Sequence, residues 1–460
     1  MNLERKAQTV GKIEHVVVLM LENRSFDNIL GRLYPKSDRF DGLAMDEWNP
    51  WHREDGSIER VRVWSSEAID PPTLPKEDPG EFFADMQVQI YGLTRAGQPT
   101  MDGFVDNYMR QSALRSPDPK AVMHVYRPEQ LPASALLARS FGVCDRWFAS
   151  APCETWPNRY FLHCGTAGGY VNNERSTFPY RWPRFMPTIF RRLDRRGYTW
   201  KVYFHDLPQA ATLVELWPKI PTHFCFFDPQ FAADAGSGRL PSYSFIEPRY
   251  YSSIRKGALP NDQHPPHDLQ DGEALVAAVY NALRSAPTWQ RTLLLILYDE
   301  HGGCYDHVPP PPAVSPGGPY PDGFRFDRYG VRIPAVIVSA YLPAGSVVRP
   351  IGPRPFDHCS VQSTLHKLFE LGEPLSPRVA AAPDVLSALS SRAPDNAGPD
   401  RIPVSPPSRS VEDIWACRRR VSNHHQSALL SAGHIGPAAL AHVSARIRSG
   451  GKRRRGRQAP

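Results

Sequence analysis

The chain has 460 residues, 41% of them apolar and 11% aromatic, enough to bury one large α/β core or two to three average domains. With 22% charged residues and no Gly-x-y period, it is neither a disordered nor a collagen-like polymer. The net charge of +7 is local: Arg446, Arg448, Lys452, Arg453, Arg454, Arg455 and Arg457 follow the last acid, so the body is near neutral and the tail is a candidate for weak contact with nucleic acid or anionic lipid.

Residues 1–11 are polar and carry Glu4, Arg5 and Lys6 without a signal-peptide core, so cytoplasmic residence is expected, with an exported location as the alternative if the true N-terminus lies upstream. His15 to Leu21 is a continuous β-branched run, the pattern of a strand buried on both faces of a parallel sheet, and it ends on Glu22-Asn23. Pro152 to Arg159 sets one hydroxyl, Thr155, between prolines; such a hydroxyl is a poor nucleophile unless a base or a metal lowers its pKa. His205 follows an apolar stretch, and His264 precedes Pro265-Pro266. Apolar positions at helical spacing over Glu273 to Ser285 lead into a second buried strand, Thr292 to Tyr298, which ends on Asp299-Glu300-His301. Val331 to Ala340 supplies a further strand, so helix and strand alternate and a doubly wound, mostly parallel layered α/β/α fold is predicted. In such sheets ligands sit beyond the carboxyl ends of the strands, where both acidic pairs fall.

The longest apolar runs, Val16 to Leu21 and Leu293 to Leu297, are far below the ~20 residues that span a bilayer. The 7 cysteines form no Cys-x-x-Cys pair, which argues against a disulfide framework or a thiolate metal site. The proline-rich stretch Pro309 to Gly323 is a candidate rim loop. Residues 1–395 are read as one catalytic domain, and 396–460 as linker, short helical segment and basic tail. Glu22, Asn23, Asp299 and Glu300 together offer hard oxygen donors suited to a divalent cation.

Six segments occur in an order that resembles the bacterial phosphoesterase family of non-specific phospholipases C and related acid phosphatases: Glu22 to Asp27, Met101 to Val105, Thr155 to Arg159, Leu240 to Pro248, Gln263 to Pro266 and Tyr298 to Gly303. The resemblance covers roughly residues 12–380. It implies a fold similar to alkaline phosphatase and sulfatases, one catalytic metal, and a hydroxyl nucleophile that becomes phosphorylated. On that resemblance Glu22, Asn23, Asp299 and Glu300 match the metal ligands and Thr155 matches the nucleophile, itself a ligand. His205 and His264 match histidines that hold phosphoryl oxygens, with Asn158 and Arg159 beside them as substrate-binding residues. His264 or His301 is the expected proton donor to the leaving alcohol. The pairs Asp306-His307 and Asp357-His358 are expected to support the site from behind. One departure stands out: where relatives often read Asp-Pro-Gly-His, this chain reads Asp78-Pro79-Gly80-Glu81. An acid there repels a phosphoryl dianion and biases the site toward monoanionic diesters.

The resemblance thus implies a metal-dependent phosphoesterase, with Ca, Mg, Mn or Zn as the ion, acting on phosphodiesters of the phosphatidylcholine type. An acid phosphatase on the same scaffold is the first alternative. A non-catalytic binding protein that engages polyanions through its basic tail is the second.

Overall fold

A computed structural model of the chain describes residues 13–69, 73–95, 97–173, 186–391, 393–418 and 423–432. The strands in chain order are β1 (His15–Leu21), β2 (Trp48–His52), β3 (Ile58–Arg62), β4 (Gly142–Val143), β5 (Trp200–Phe204), β6 (Phe224–Phe226), β7 (Tyr243–Ile246), β8 (Thr292–Tyr298), β9 (Ala335–Val338) and β10 (Ser346–Val347). Eight of them form one sheet in the order β10-β4-β9-β8-β1-β7-β5-β6, and β2 and β3 form a separate hairpin. Only β9 runs against its neighbours in the large sheet, so the fold is a mostly parallel α/β layer as expected from the alternating pattern. The predicted strand over 331–340 is realised as Ala335–Val338, shorter and antiparallel.

β1 lies at the centre, paired with β7 on one side and β8 on the other. Both faces of β1 and β8 are buried, which explains why their sequences are continuous rather than alternating. Leu21 pairs with Tyr298 in register, so the two acidic pairs emerge side by side at the same edge. The helix Leu269–Arg284, capped by the Asp268 side chain, packs its apolar face on the sheet ahead of β8.

The segment after residue 395 is docked rather than free. Asn396 donates to the carbonyls of Ser140 and Leu342, Ile402 exchanges hydrogen bonds with Asn281, and Arg409 pairs with Asp268 and Asp271. Two helices follow, Val411–Arg418 and His424–Ala432. The basic tail lies outside the described residues. Among those residues no helix is long and apolar enough to cross a membrane.

Candidate functional site

Asn23 sits at φ +49°, a left-handed turn that asparagine tolerates, and this swings the chain sharply at the end of β1. Its backbone N–H then donates to Asp299 Oδ1 at 3.0 Å, tying the two strand ends together. Opposite them the helix Thr155–Cys164 begins, with Thr155 as its first residue and Glu154 as its cap. Pro157 near the start is tolerated because the first helical N–H groups have no partner within the helix. Thr155 Oγ1 lies 3.3 Å from Glu22 Oε2 and 3.2 Å from Asn23 Oδ1. The hydroxyl therefore faces carboxylate and amide oxygens while standing at the positive end of a ten-residue helix.

Glu22, Asn23, Asp299 and Glu300 are all fully buried. Burial pushes the Glu22 carboxyl up to about 7 against the pull of Arg159 and His264, and burial with the Glu22 charge raises Asp299 as well. Burial, followed by the charges of Glu81 and Asp299, lifts Glu300 far above the usual range. Arg159 pairs with Glu22 and Asp299, whereas Glu300 Oε1 has no hydrogen-bond partner. Glu22 Oε2 and Asn23 Oδ1 thus converge on the Thr155 hydroxyl, hard oxygen donors of the type a divalent cation takes, with Asp299 tied to Asn23 beside them.

Arg159 and Asn158 correct the expectation of substrate binding. The Arg159 guanidinium is fully buried, pairs with Glu22 Oε1, and reaches Asp299 Oδ2 at 3.4 Å, so it braces two carboxylates from inside. Asn158 spends both ends of its amide on the loop before it, taking the Ala151 N–H and donating to the Cys153 carbonyl at 2.6 Å. His301 stands between Gln89 and the donor set: Nε2 donates to Gln89 Oε1 at 2.7 Å, Nδ1 lies 3.2 Å from Glu300 Oε2, and its ring packs edge-on against Phe104. Asp306 and His307 form a separate cluster with Asp27, Asp41 and Arg332, in which the Arg332 guanidinium already supplies the cation, so they do not support the donor set. His358 does touch it, through a 2.7 Å contact of Nε2 with the Asp299 carbonyl. Asp357 beside it is held by Ser150 and Arg378.

His205 follows β5 directly, stacks on Phe227, and sets its Nδ1 on the Glu247 carbonyl at 2.9 Å, leaving Nε2 as the free edge. His264 approaches the Pro265 carbonyl at 2.6 Å through Nδ1 and Glu81 Oε1 at 3.3 Å through Nε2. Sequence reasoning missed two further histidines. His425 Nδ1 lies 2.9 Å from Glu22 Oε2, and His424 Nδ1 lies 3.3 Å from Asp78 Oδ2 and 3.4 Å from Glu81 Oε2. Both stand on the C-terminal helix His424–Ala432, anchored by Gln426 on the Tyr250 carbonyl. The only sign in the sequence is the run Asn423-His424-His425-Gln426, polar residues opening a helix, which by itself reads as a cap.

Comparison with known proteins agrees with the motif order. A family model described as the Phosphoesterase family matches residues 13–372. Non-specific phospholipase C1 of Arabidopsis thaliana is 39% identical over 80% of this chain and 69% of its own length. Non-specific phospholipase C3 of the same plant is 34% identical over 87% and 78%. Phospholipase C B of Mycobacterium tuberculosis is 30% identical over 84% and 79%.

Proposed function

The chain belongs to the Phosphoesterase family and is a hydrolase of phosphoric ester bonds, and on that premise we propose that it cleaves phosphodiesters of the phosphatidylcholine type, as a phospholipase C, through a phosphorylated Thr155. The observation that carries this reading is the Thr155 hydroxyl, 3.3 Å from Glu22 Oε2 and 3.2 Å from Asn23 Oδ1 at a helix N-terminus.

Glu22, Asn23, Asp299, Glu300 and Thr155 would hold one divalent cation, whose charge lowers the pKa of the hydroxyl and offsets charge gathering on a phosphoryl oxygen. Thr155 Oγ1 attacks phosphorus in line and its proton leaves toward the Glu22 side. Arg159 keeps the Glu22 and Asp299 carboxylates aimed, which is a positioning role. The helix N-terminus favours the negative charge that develops at Oγ1. The phosphorus–oxygen bond opposite Oγ1 breaks and the departing alcohol takes up the proton that Thr155 gave up. His205, whose Nδ1 donates to the Glu247 carbonyl, offers the lone pair of Nε2 as the relay for it. Water then hydrolyses the phosphothreonine, freeing the hydroxyl for the next cycle.

Glu81 supports the diester over the monoester. It is 1% exposed and occupies the Nε2 edge of His264 at 3.3 Å, so the site has one donor fewer for the extra charge of a dianionic phosphate monoester. The test compares wild type and Thr155→Ala on p-nitrophenylphosphorylcholine and p-nitrophenyl phosphate, after chelation and with Ca, Mg, Mn or Zn restored singly. Cation-dependent cleavage of the choline diester, lost by at least about a thousandfold in Thr155→Ala, is expected. Preference for the monoester makes the chain a phosphatase, and undiminished turnover in the variant overturns the nucleophile.

A further inference from the structure

One of the buried polar groups around Thr155 comes from outside the stretch that carries the family likeness. That stretch ends at residue 372, and His425 stands on the C-terminal helix His424–Ala432. Its ring is nevertheless 1% exposed, and Nδ1 lies 2.9 Å from Glu22 Oε2, the oxygen that also faces Thr155 Oγ1 at 3.3 Å. A carboxylate oxygen offers only lone pairs, so the hydrogen of that contact sits on Nδ1 and His425 donates. Glu22 is thereby gripped at both ends, Oε1 by the Arg159 guanidinium and Oε2 by His425. A carboxylate held at both oxygens keeps its aim at Thr155 Oγ1.

The helix is fixed on either side of that ring. Gln426 N–H donates to Asn423 Oδ1 at 2.8 Å and Asn423 N–H to Gln426 Oε1 at 3.2 Å, a reciprocal cap. The Gln426 amide donates in turn to the Tyr250 carbonyl, and the Tyr251 hydroxyl to the Gln426 carbonyl at 2.7 Å. His424 pairs with Asp78 and Glu81. The Tyr250 ring meets the His425 imidazole edge-on at 4.5 Å, while its own hydroxyl donates to Glu247 Oε2. Among the described residues nothing bonds His425 Nε2, which is buried, a cost that a phenylalanine packed in the same place would not carry. The bond from Nδ1 to Glu22 is what the imidazole supplies in return.

We propose that His425 is a positioning residue of the reaction: reaching back from the C-terminal helix, it holds Glu22 Oε2 on the Thr155 hydroxyl, so the site is complete only when that helix is docked. This role rests on the reading of Thr155 as nucleophile and of Glu22 as a cation ligand. The bond sets the aim of one oxygen at two targets, the cation and Oγ1. Its loss therefore weakens cation binding and slows turnover, and leaves substrate affinity as it was.

The experiment compares the full chain as wild type, His425→Phe and His425→Asn. Phenylalanine keeps a ring against Tyr250 without a donor, and asparagine puts an amide N–H near the place of Nδ1. The readouts are kcat and KM on p-nitrophenylphosphorylcholine and, independent of turnover, the affinity of chelator-stripped protein for Mn by electron paramagnetic resonance, with circular dichroism checking each fold. In His425→Phe, kcat is expected to fall about 10–100-fold with KM changed less than about twofold and Mn binding weakened about tenfold, and His425→Asn is expected to recover most of both. Gln426→Ala, which frees the helix from the Tyr250 carbonyl, is expected to shift both readouts the same way by less. Should His425→Phe misfold, wild-type behaviour of Gln426→Ala overturns the proposal. Equal kcat and Mn affinity in wild type and His425→Phe overturn it too, as does an equal loss in the phenylalanine and asparagine variants, which makes the position one of ring packing. A rise in kcat in His425→Phe overturns it by making the helix a plug on Glu22. If wild type cleaves neither ester, or Thr155→Ala turns over undiminished, the functional reading falls separately, and the Mn affinities of the two His425 variants still decide whether the bond holds Glu22.

Discussion

The meeting of Thr155 with Glu22 and Asn23 is legible from the sequence because each follows a run whose pattern announces a buried strand or a proline-stiffened turn. Arg159 and Asn158 are not, although they stand within four residues of Thr155. Whether a side chain on the first turn of a helix faces outward or back into the protein depends on what packs against it, and here the carboxylates of two strand ends lie behind. His307 illustrates the same limit: a histidine next to an acid in sequence, yet bonded to Asp27 and Asp41 from elsewhere in the chain. Burial lowers its basicity, but those two carboxylates win and raise its pKa to about 9. A folded pKa above the unfolded value of about 6.5 means that its contribution is complete below that pH and is lost as pH rises through 9. Urea unfolding at pH 6.5, 7.5 and 9 is therefore expected to show falling stability in wild type and a flatter profile in His307→Gln. Parallel profiles would show that the cluster does not hold the proton.

At the scale of elements, β1, β8 and the helix Leu269–Arg284 lie where hydrophobic periodicity puts them, because each buries whole faces. The direction of β9 was not readable. It depends on where the long proline-rich connection after β8 delivers the chain, and no side-chain pattern records that. Two-residue β4 is too short for any period to register. The turn after β8 is a different case, since Gly302, within the segment Tyr298 to Gly303, sits at φ +60° for a structural reason. A Cβ there would come within 2.3 Å of the Asn23 carbonyl oxygen, so the two strand-end turns can only meet if that residue is glycine. Gly302→Ala is expected to lower unfolding stability by more than about 1 kcal/mol and to weaken cation binding by displacing Asn23. Calorimetry with and without added Mn checks both, and unchanged melting with full binding would show that the turns can part freely.

For the whole molecule, the start of the segment 396–460 reads from its composition as a linker. Proline and serine mark the absence of helix there, and they do not reveal that Asn396, Ile402 and Arg409 tie the chain down. What lies beyond reaches the acidic centre, with Ala428 and Leu429 joining the main core and Gln426 holding Tyr250. A chain ending at Arg418 is expected to keep a cooperative melt, since nearly all of that core precedes it. Its hydrogen exchange should rise at Asp78 to Phe82 and at Tyr250-Tyr251, while β1 and β8 stay protected. Unchanged exchange in those loops would mean that the terminal helix does not cover them. The central place of β1 bears in turn on how the protein is made. Asn23 and Asp299 are 276 residues apart, and at roughly 5–20 residues per second a ribosome takes roughly 14–55 s to get from one to the other. For that interval the apolar strand His15–Leu21 waits for β8 with an open edge, an invitation to pair with another nascent copy, so the yield of folded protein depends on chaperone capacity and on how soon β8 follows more than on the stability of the finished fold.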